Sequence, residues 1–142
     1  MKITGAAPKI AIPTFAYMLI TIAINYLTMP LFRITATKYS ILILAGVIMI
    51  AIGAGMVINT AIMLQRSFKA DLLMTKGLYS IFRNPMYSAY LLFIIPGICF
   101  LFNSWLVLST VVVNFILLQI FIKEEYKWLE EKFGDEYKKY LE

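Results

Sequence analysis

Three stretches of the chain carry no charged residue: 10–32, 39–65 and 85–122. Each of the first two exceeds the roughly 20 residues needed to cross the hydrocarbon core of a bilayer. The third is long enough for two crossings, and Phe102-Asn103-Ser104-Trp105 supplies turn chemistry near its middle. The pattern therefore predicts an all-α membrane protein with four transmembrane helices, at about 10–32, 39–64, 85–102 and 104–122, in one membrane domain covering 1–142. Pro96-Gly97 falls inside the third helix and predicts a kink there.

Two polar segments interrupt this pattern. The loop at 65–85, QRSFKADLLMTKGLYSIFRNP, is long for a compact bundle, and ordered loops of that length commonly carry function. Its residues 68–76 suit a short interfacial helix stopped by Gly77. The tail, 123–142, reads as a C-terminal helix that leaves the membrane and becomes amphipathic. Tyr126, Leu129 and Phe133 share one of its faces, and Tyr137 and Tyr140 continue the spacing beyond Gly134. In the second helix, Ala51 and Gly55 lie four apart with Gly46 and Gly53 nearby, a spacing that lets helices approach closely within a bundle.

Composition agrees with the pattern. Hydrophobic residues make up 61% of the 142, against about half in a soluble domain. With four crossings, the N-terminus, the 65–85 loop and the tail share one side. They carry Lys2, Lys9, Arg66, Lys69, Lys76 and Arg83 and the five tail lysines, whereas the other side has Arg33 and Lys38. The positive-inside rule assigns the richer side, with both termini, to the cytoplasm. The net charge of +5 then reflects topology and membrane lipids, not nucleic acid.

The absence of histidine and the single Cys99 exclude the common zinc, haem and histidine-base chemistries, and no metal site is expected. No ionisable side chain lies deep within a predicted crossing, which weighs against an ion-coupled transporter. Asn25, Asn59, Asn114 and Gln119 are the polar intramembrane residues, suited to interhelical hydrogen bonds. Chemistry is therefore expected at the cytoplasmic helix ends. There, Asn84 as N-cap and Pro85 as first helical residue start the third helix sharply. A helix start offers free amides and a partial positive charge to an anion. Arg83 beside it adds a donor able to grip a carboxylate in bidentate fashion. Tyr87 and Tyr90 place aromatic faces one turn apart, where they attract a cationic centre. Glu124 and Glu125, at the end of the fourth helix, return carboxylates to the same side, pointing about 100° apart.

At these residues the sequence resembles the integral-membrane methyltransferase superfamily, which includes isoprenylcysteine carboxyl methyltransferases and phospholipid N-methyltransferases. The resemblance runs from Leu73 to the end. It rests on Thr75-x-Gly77-x-Tyr79, Arg83-Asn84-Pro85-x-Tyr87 and Glu124-Glu125-x-x-x-Leu129-x-x-x-Phe133-Gly134-x-x-Tyr137-x-x-Tyr140. It implies S-adenosylmethionine as cofactor, bound at the cytoplasmic face, and a lipidic or isoprenoid methyl acceptor entering from the bilayer. Gly77, Tyr79, Arg83, Asn84, Pro85, Tyr87, Tyr90, Glu124 and Glu125 are the expected cofactor-binding residues. Three departures stand out. Ala89 replaces a glycine common in the family, and an arginine found in carboxyl-methylating members one turn before the Glu pair is missing. The chain also stops soon after Tyr140. The competing expectations are a non-enzymatic four-helix transporter or accessory subunit that holds anionic lipid, and a sterol-type reductase binding a nicotinamide cofactor.

Overall fold

The computed structural model describes residues 6–36 and 38–142; Lys2, counted above among the cytoplasmic charges, lies outside them. Four helices are long and apolar enough to cross a membrane: α1 (Ala7–Leu27), α2 (Tyr39–Ala70), α3 (Pro85–Phe102) and α4 (Trp105–Phe133). A short α5 (Asp135–Leu141) follows. At a rise of about 1.5 Å per residue, α2 and α4 are roughly 48 and 44 Å long, well beyond a hydrocarbon core of about 30 Å. Both therefore project past the bilayer at the same end, and there they wall the candidate site.

These lengths differ from the sequence expectation in two places. Residues 68–70 continue α2 instead of forming a separate interfacial helix, because nothing between Gln65 and Ala70 breaks the turn. Asp71 ends it, in the left-handed region at φ 54°, with its amide returned to the Ser67 carbonyl. The chain then makes a single 3₁₀ turn, Gly77–Ser80. Likewise α4 crosses the charge boundary at Lys123 without interruption and stops only at Gly134, whose φ is 50°.

Proline 96 sits within α3 and lacks an amide hydrogen. The chain accommodates it by widening the preceding turn, Tyr90–Ile94, into π-helical geometry.

Packing pairs α1 with α4 and α2 with α3, and α3 with α4 joins the two pairs; α1 and α2 scarcely touch. The buried residues of α2 are Gly46, Gly53 and Thr60, spaced by sevens along one stripe. Where α2 crosses α3, glycine meets glycine. A Cβ on Gly46 would lie 2.7 Å from the Gly97 carbonyl oxygen, and one on Gly97 would lie 2.9 Å from that of Gly46. Gly55 meets nothing within 4 Å, so the Ala51–Gly55 pair is not what packs against α3.

At the end remote from the site, Asn103 knits two loops together. Its side chain accepts from the Thr35 amide at 3.0 Å and donates to the Thr35 carbonyl at 2.7 Å. Ser104 then caps α4 by accepting from the Val107 amide. Within the bundle, Asn114 donates to Thr14 at 3.1 Å, tying α4 to α1, and Tyr17 and Ser109 meet at 3.0 Å.

Candidate functional site

Because α1 and α2 stand apart, a cavity of about 1000 Å³ opens between them and runs from the middle of the bundle to the projecting ends of α2 and α4. Its inner limb is apolar, walled by Phe15, Met18 and Leu19 of α1 and Ile94, Ile95 and Ile98 of α3. Thr14 and Asn114 interrupt this limb. Its outer limb is polar and aromatic, with Tyr79, Arg83, Asn84, Tyr87, Tyr90, Glu125, Tyr126, Trp128, Lys132, Tyr137 and Tyr140 on its walls.

Each polar group is set by its element. Pro85 begins α3 as the spacing predicts, with Asn84 at the cap position. The Asn84 side chain does not cap, however; its amide donates to the Tyr126 hydroxyl at 2.7 Å. The amides of the first turn therefore donate no hydrogen bond to that side chain. Tyr87, the third residue of α3, donates its hydroxyl to Glu125 Oε2 at 2.9 Å, a bond between α3 and α4. Arg83 Nη2 donates to the Leu141 carbonyl at 3.3 Å, and the Tyr140 hydroxyl to the Tyr79 carbonyl at 2.5 Å. These two bonds fold α5 over the outer limb. Burial first, then the negative charge of Glu125, pushes the Tyr79 phenol up to about 12, so it remains a neutral donor. Burial also raises Tyr137 and Tyr140, and the nearby Arg83 charge opposes the rise.

The projecting ends of α2 and α4 are clasped twice. Phe68 and Trp128 meet with ring centroids 6.2 Å apart, and Lys132 pairs with Asp71 while lying 5.2 Å over the Trp128 and Phe133 rings. Lys132 is thus held at the wall and does not reach freely into solvent.

Of the residues singled out from the sequence, the structure brings Tyr79, Arg83, Asn84, Tyr87, Tyr90 and Glu125 onto this one cavity. Gly77, Pro85 and Glu124 do not line it. Gly77 supplies the left-handed turn, φ 67°, that begins the 3₁₀ segment, and Pro85 is buried beneath the site. Glu124 turns outward, where Lys9 donates to it at 2.6 Å. Ala89 is fully buried with its carbonyl beside Gly53, away from the cavity. Tyr126, Leu129 and Phe133, read from the sequence as one face of an amphipathic helix, all line the cavity. The α1 wall was missed: Thr14, with Thr21 and Asn25 at helical spacing, was the available signal, while Ile10 and Met18 on the same buried stripe are as apolar as lipid-facing neighbours.

The sequence model of the phospholipid methyltransferase family matches residues 41–136, well over half of the chain. That stretch contains all of α2 but its first two residues, the loop, α3 and α4, while α1 lies outside it. No curated protein and no solved structure matches the chain.

Proposed function

The chain belongs to the phospholipid methyltransferase family, a family of membrane methyltransferases, and we propose that it moves a methyl group from S-adenosylmethionine to a lipidic acceptor, for which the family's name points to a phospholipid. The observation that carries this reading is the shape of the cavity: a guanidinium, a carboxylate and several tyrosines at one end of a space that continues as an apolar limb beside a gap between two helices. One compartment thus offers a polar zwitterion site and a hydrocarbon site in contact.

The residues present fit that cofactor. Arg83 and the uncapped amides at the start of α3 suit its carboxylate. Glu125, fixed by Tyr87, suits its amino group or ribose hydroxyls, and Tyr79, Tyr87 and Tyr90 suit its cationic centre. Glu124, paired with Lys9, serves instead to fasten α1 to α4. When bound, the cofactor supplies an activated methyl group on a sulfonium, which needs no nucleophile or metal from the protein.

The chain's own residues have three tasks. Arg83, Glu125 and the tyrosines orient the donor so that methyl, sulfur and acceptor align. The belt of Tyr126, Trp128, Phe133, Tyr137 and Tyr140, held by the Asp71–Lys132 and Phe68–Trp128 clasps, excludes water. The α1–α2 gap admits the acceptor from the bilayer, its hydrocarbon lying along Phe15, Met18 and Ile98. The lysine-rich end that holds the site faces the cytoplasm under the positive-inside rule.

The test is direct: purified protein is incubated with methyl-labelled S-adenosylmethionine and a host lipid extract, and labelled products are separated. Label in a lipid fraction that requires Arg83 and Glu125 supports the reading. No labelled lipid from any fraction, with a folded protein, contradicts it.

A further inference from the structure

A second, smaller pocket of about 310 Å³ lies on the far side of Arg83 from the apolar limb. Its walls are Arg83, Lys123, Lys127, Tyr126, Tyr137 and Glu130, with Leu141 at the edge. Three cations thus face one carboxylate, and that carboxylate is drawn away: Glu130 pairs with Lys138 at 3.8 Å. Lys127 has only a 3.9 Å contact with Glu131 one turn along α4, and both side chains are largely exposed. Among the described residues, Lys123 makes no ion pair. Lys123 is also the first charged residue after the uncharged run 85–122, so the pocket mouth sits at the boundary between hydrocarbon and water. That is the depth at which lipid phosphates lie. Lys123 and Lys127, four apart, present ammonium groups on one face of α4, and the two tyrosine hydroxyls in the wall add hydrogen-bond donors.

We propose that this pocket, distinct from the large cavity, binds a phosphate oxyanion, presented by the headgroup of an anionic lipid in the adjoining leaflet. The site's chemistry is a triangle of two ammonium groups and one guanidinium, with Arg83 forming the partition between it and the large cavity. Phosphate is the fitting ligand because it offers several oxygens to donors arriving from the turn before α3, from α4 and from α5 at once, whereas a lipid with no net charge gains little from these weakly paired lysines.

The test uses the full chain in phosphatidylcholine vesicles containing a trace of spin-labelled phosphatidylglycerol or spin-labelled phosphatidylcholine. The motionally restricted fraction at the protein surface is read by electron spin resonance. The wild type should prefer phosphatidylglycerol several-fold, since each lysine near an anionic surface contributes about a fivefold factor. Lys123→Gln/Lys127→Gln should bring the preference close to one, while Lys139→Gln, outside the pocket, should leave it unchanged. Equal preference in the wild type and in the double variant, or an equal loss with Lys139→Gln, overturns the pocket as the site. In a further arm, inorganic phosphate is added at constant ionic strength against a chloride control. No displacement supports the lipid headgroup as the source of the phosphate. Displacement by millimolar phosphate overturns that source in favour of a soluble anion.

Discussion

Glu124 and Glu125 are adjacent in the chain and part company in space: Glu124 Oε2 accepts from Lys9 at 2.6 Å outside the bundle, and Glu125 Oε2 accepts from the Tyr87 hydroxyl at 2.9 Å on the cavity wall. One helical step of about 100° accounts for the divergence. A pair that reads as a single motif therefore divides into a fastening and a cavity-wall residue.

That division predicts unequal kinetics. Glu125→Gln keeps the shape and removes the charge, and should raise the KM for S-adenosylmethionine by about tenfold or more, the worth of a hydrogen bond to a charged group. Glu124→Gln breaks only an exposed ion pair, worth about 0–1 kcal/mol, and should alter that KM by no more than a few-fold. Steady-state methyl transfer with both variants checks the contrast, and equal effects would remove the distinction.

The Gly46–Gly97 crossing should be intolerant of added volume. Gly46→Leu forces side-chain atoms against the Gly97 carbonyl and should cost about 1–3 kcal/mol or prevent assembly. Gly55→Ala, facing open space on the same helix, should be neutral or stabilising by up to about 1 kcal/mol. Thermal unfolding in detergent distinguishes the two.

If the acceptor passes between α1 and α2, bulk on the cavity faces of those helices should hinder it selectively. Ala16 of α1 lines the cavity between Phe15 and Met18, on its inner limb. Ala16→Trp should raise the KM for the lipid several-fold while leaving S-adenosylhomocysteine affinity within about twofold, because the proposed cofactor residues line the outer limb. Loss of both together would argue against separate limbs.

The Asn114–Thr14 bond joins the α1 wall to the rest of the bundle. Buried side-chain hydrogen bonds between membrane helices average about 0.6 kcal/mol, with a maximum near 1.7. A double-mutant cycle with Asn114→Leu and Thr14→Val should give a coupling in that range, measured by reversible unfolding in mixed micelles.

Much of this was legible in the sequence. Blocks free of charge locate four spans because hydrocarbon tolerates no unpaired charge, and Arg83, Asn84, Tyr87 and Glu125 stand out because polar groups at a helix boundary are few. What escaped is what depends on tertiary contact. The ends of α2 and α4 run on past the charge boundaries since each has a partner there, in the Phe68–Trp128 and Asp71–Lys132 clasps. Asn84 has the chemistry of a cap, yet its side chain turns to Tyr126, a residue 42 positions away that local rules do not see. Pro96 signals a distortion of α3, but not that the turn before it widens. On α1, Thr14, Thr21 and Asn25 mark the buried stripe at helical spacing, but Phe15 and Leu19, which also wall the cavity, are as apolar as their lipid-facing neighbours.

The most direct test of the central claim is calorimetric titration of the detergent-solubilised chain with S-adenosylhomocysteine, comparing the wild type with Arg83→Ala. The account predicts saturable binding at about one site per chain, weakened at least tenfold when the guanidinium that faces the cofactor carboxylate is removed. A folded wild type that takes up no ligand, or an Arg83→Ala variant that binds as tightly as the wild type, would contradict it.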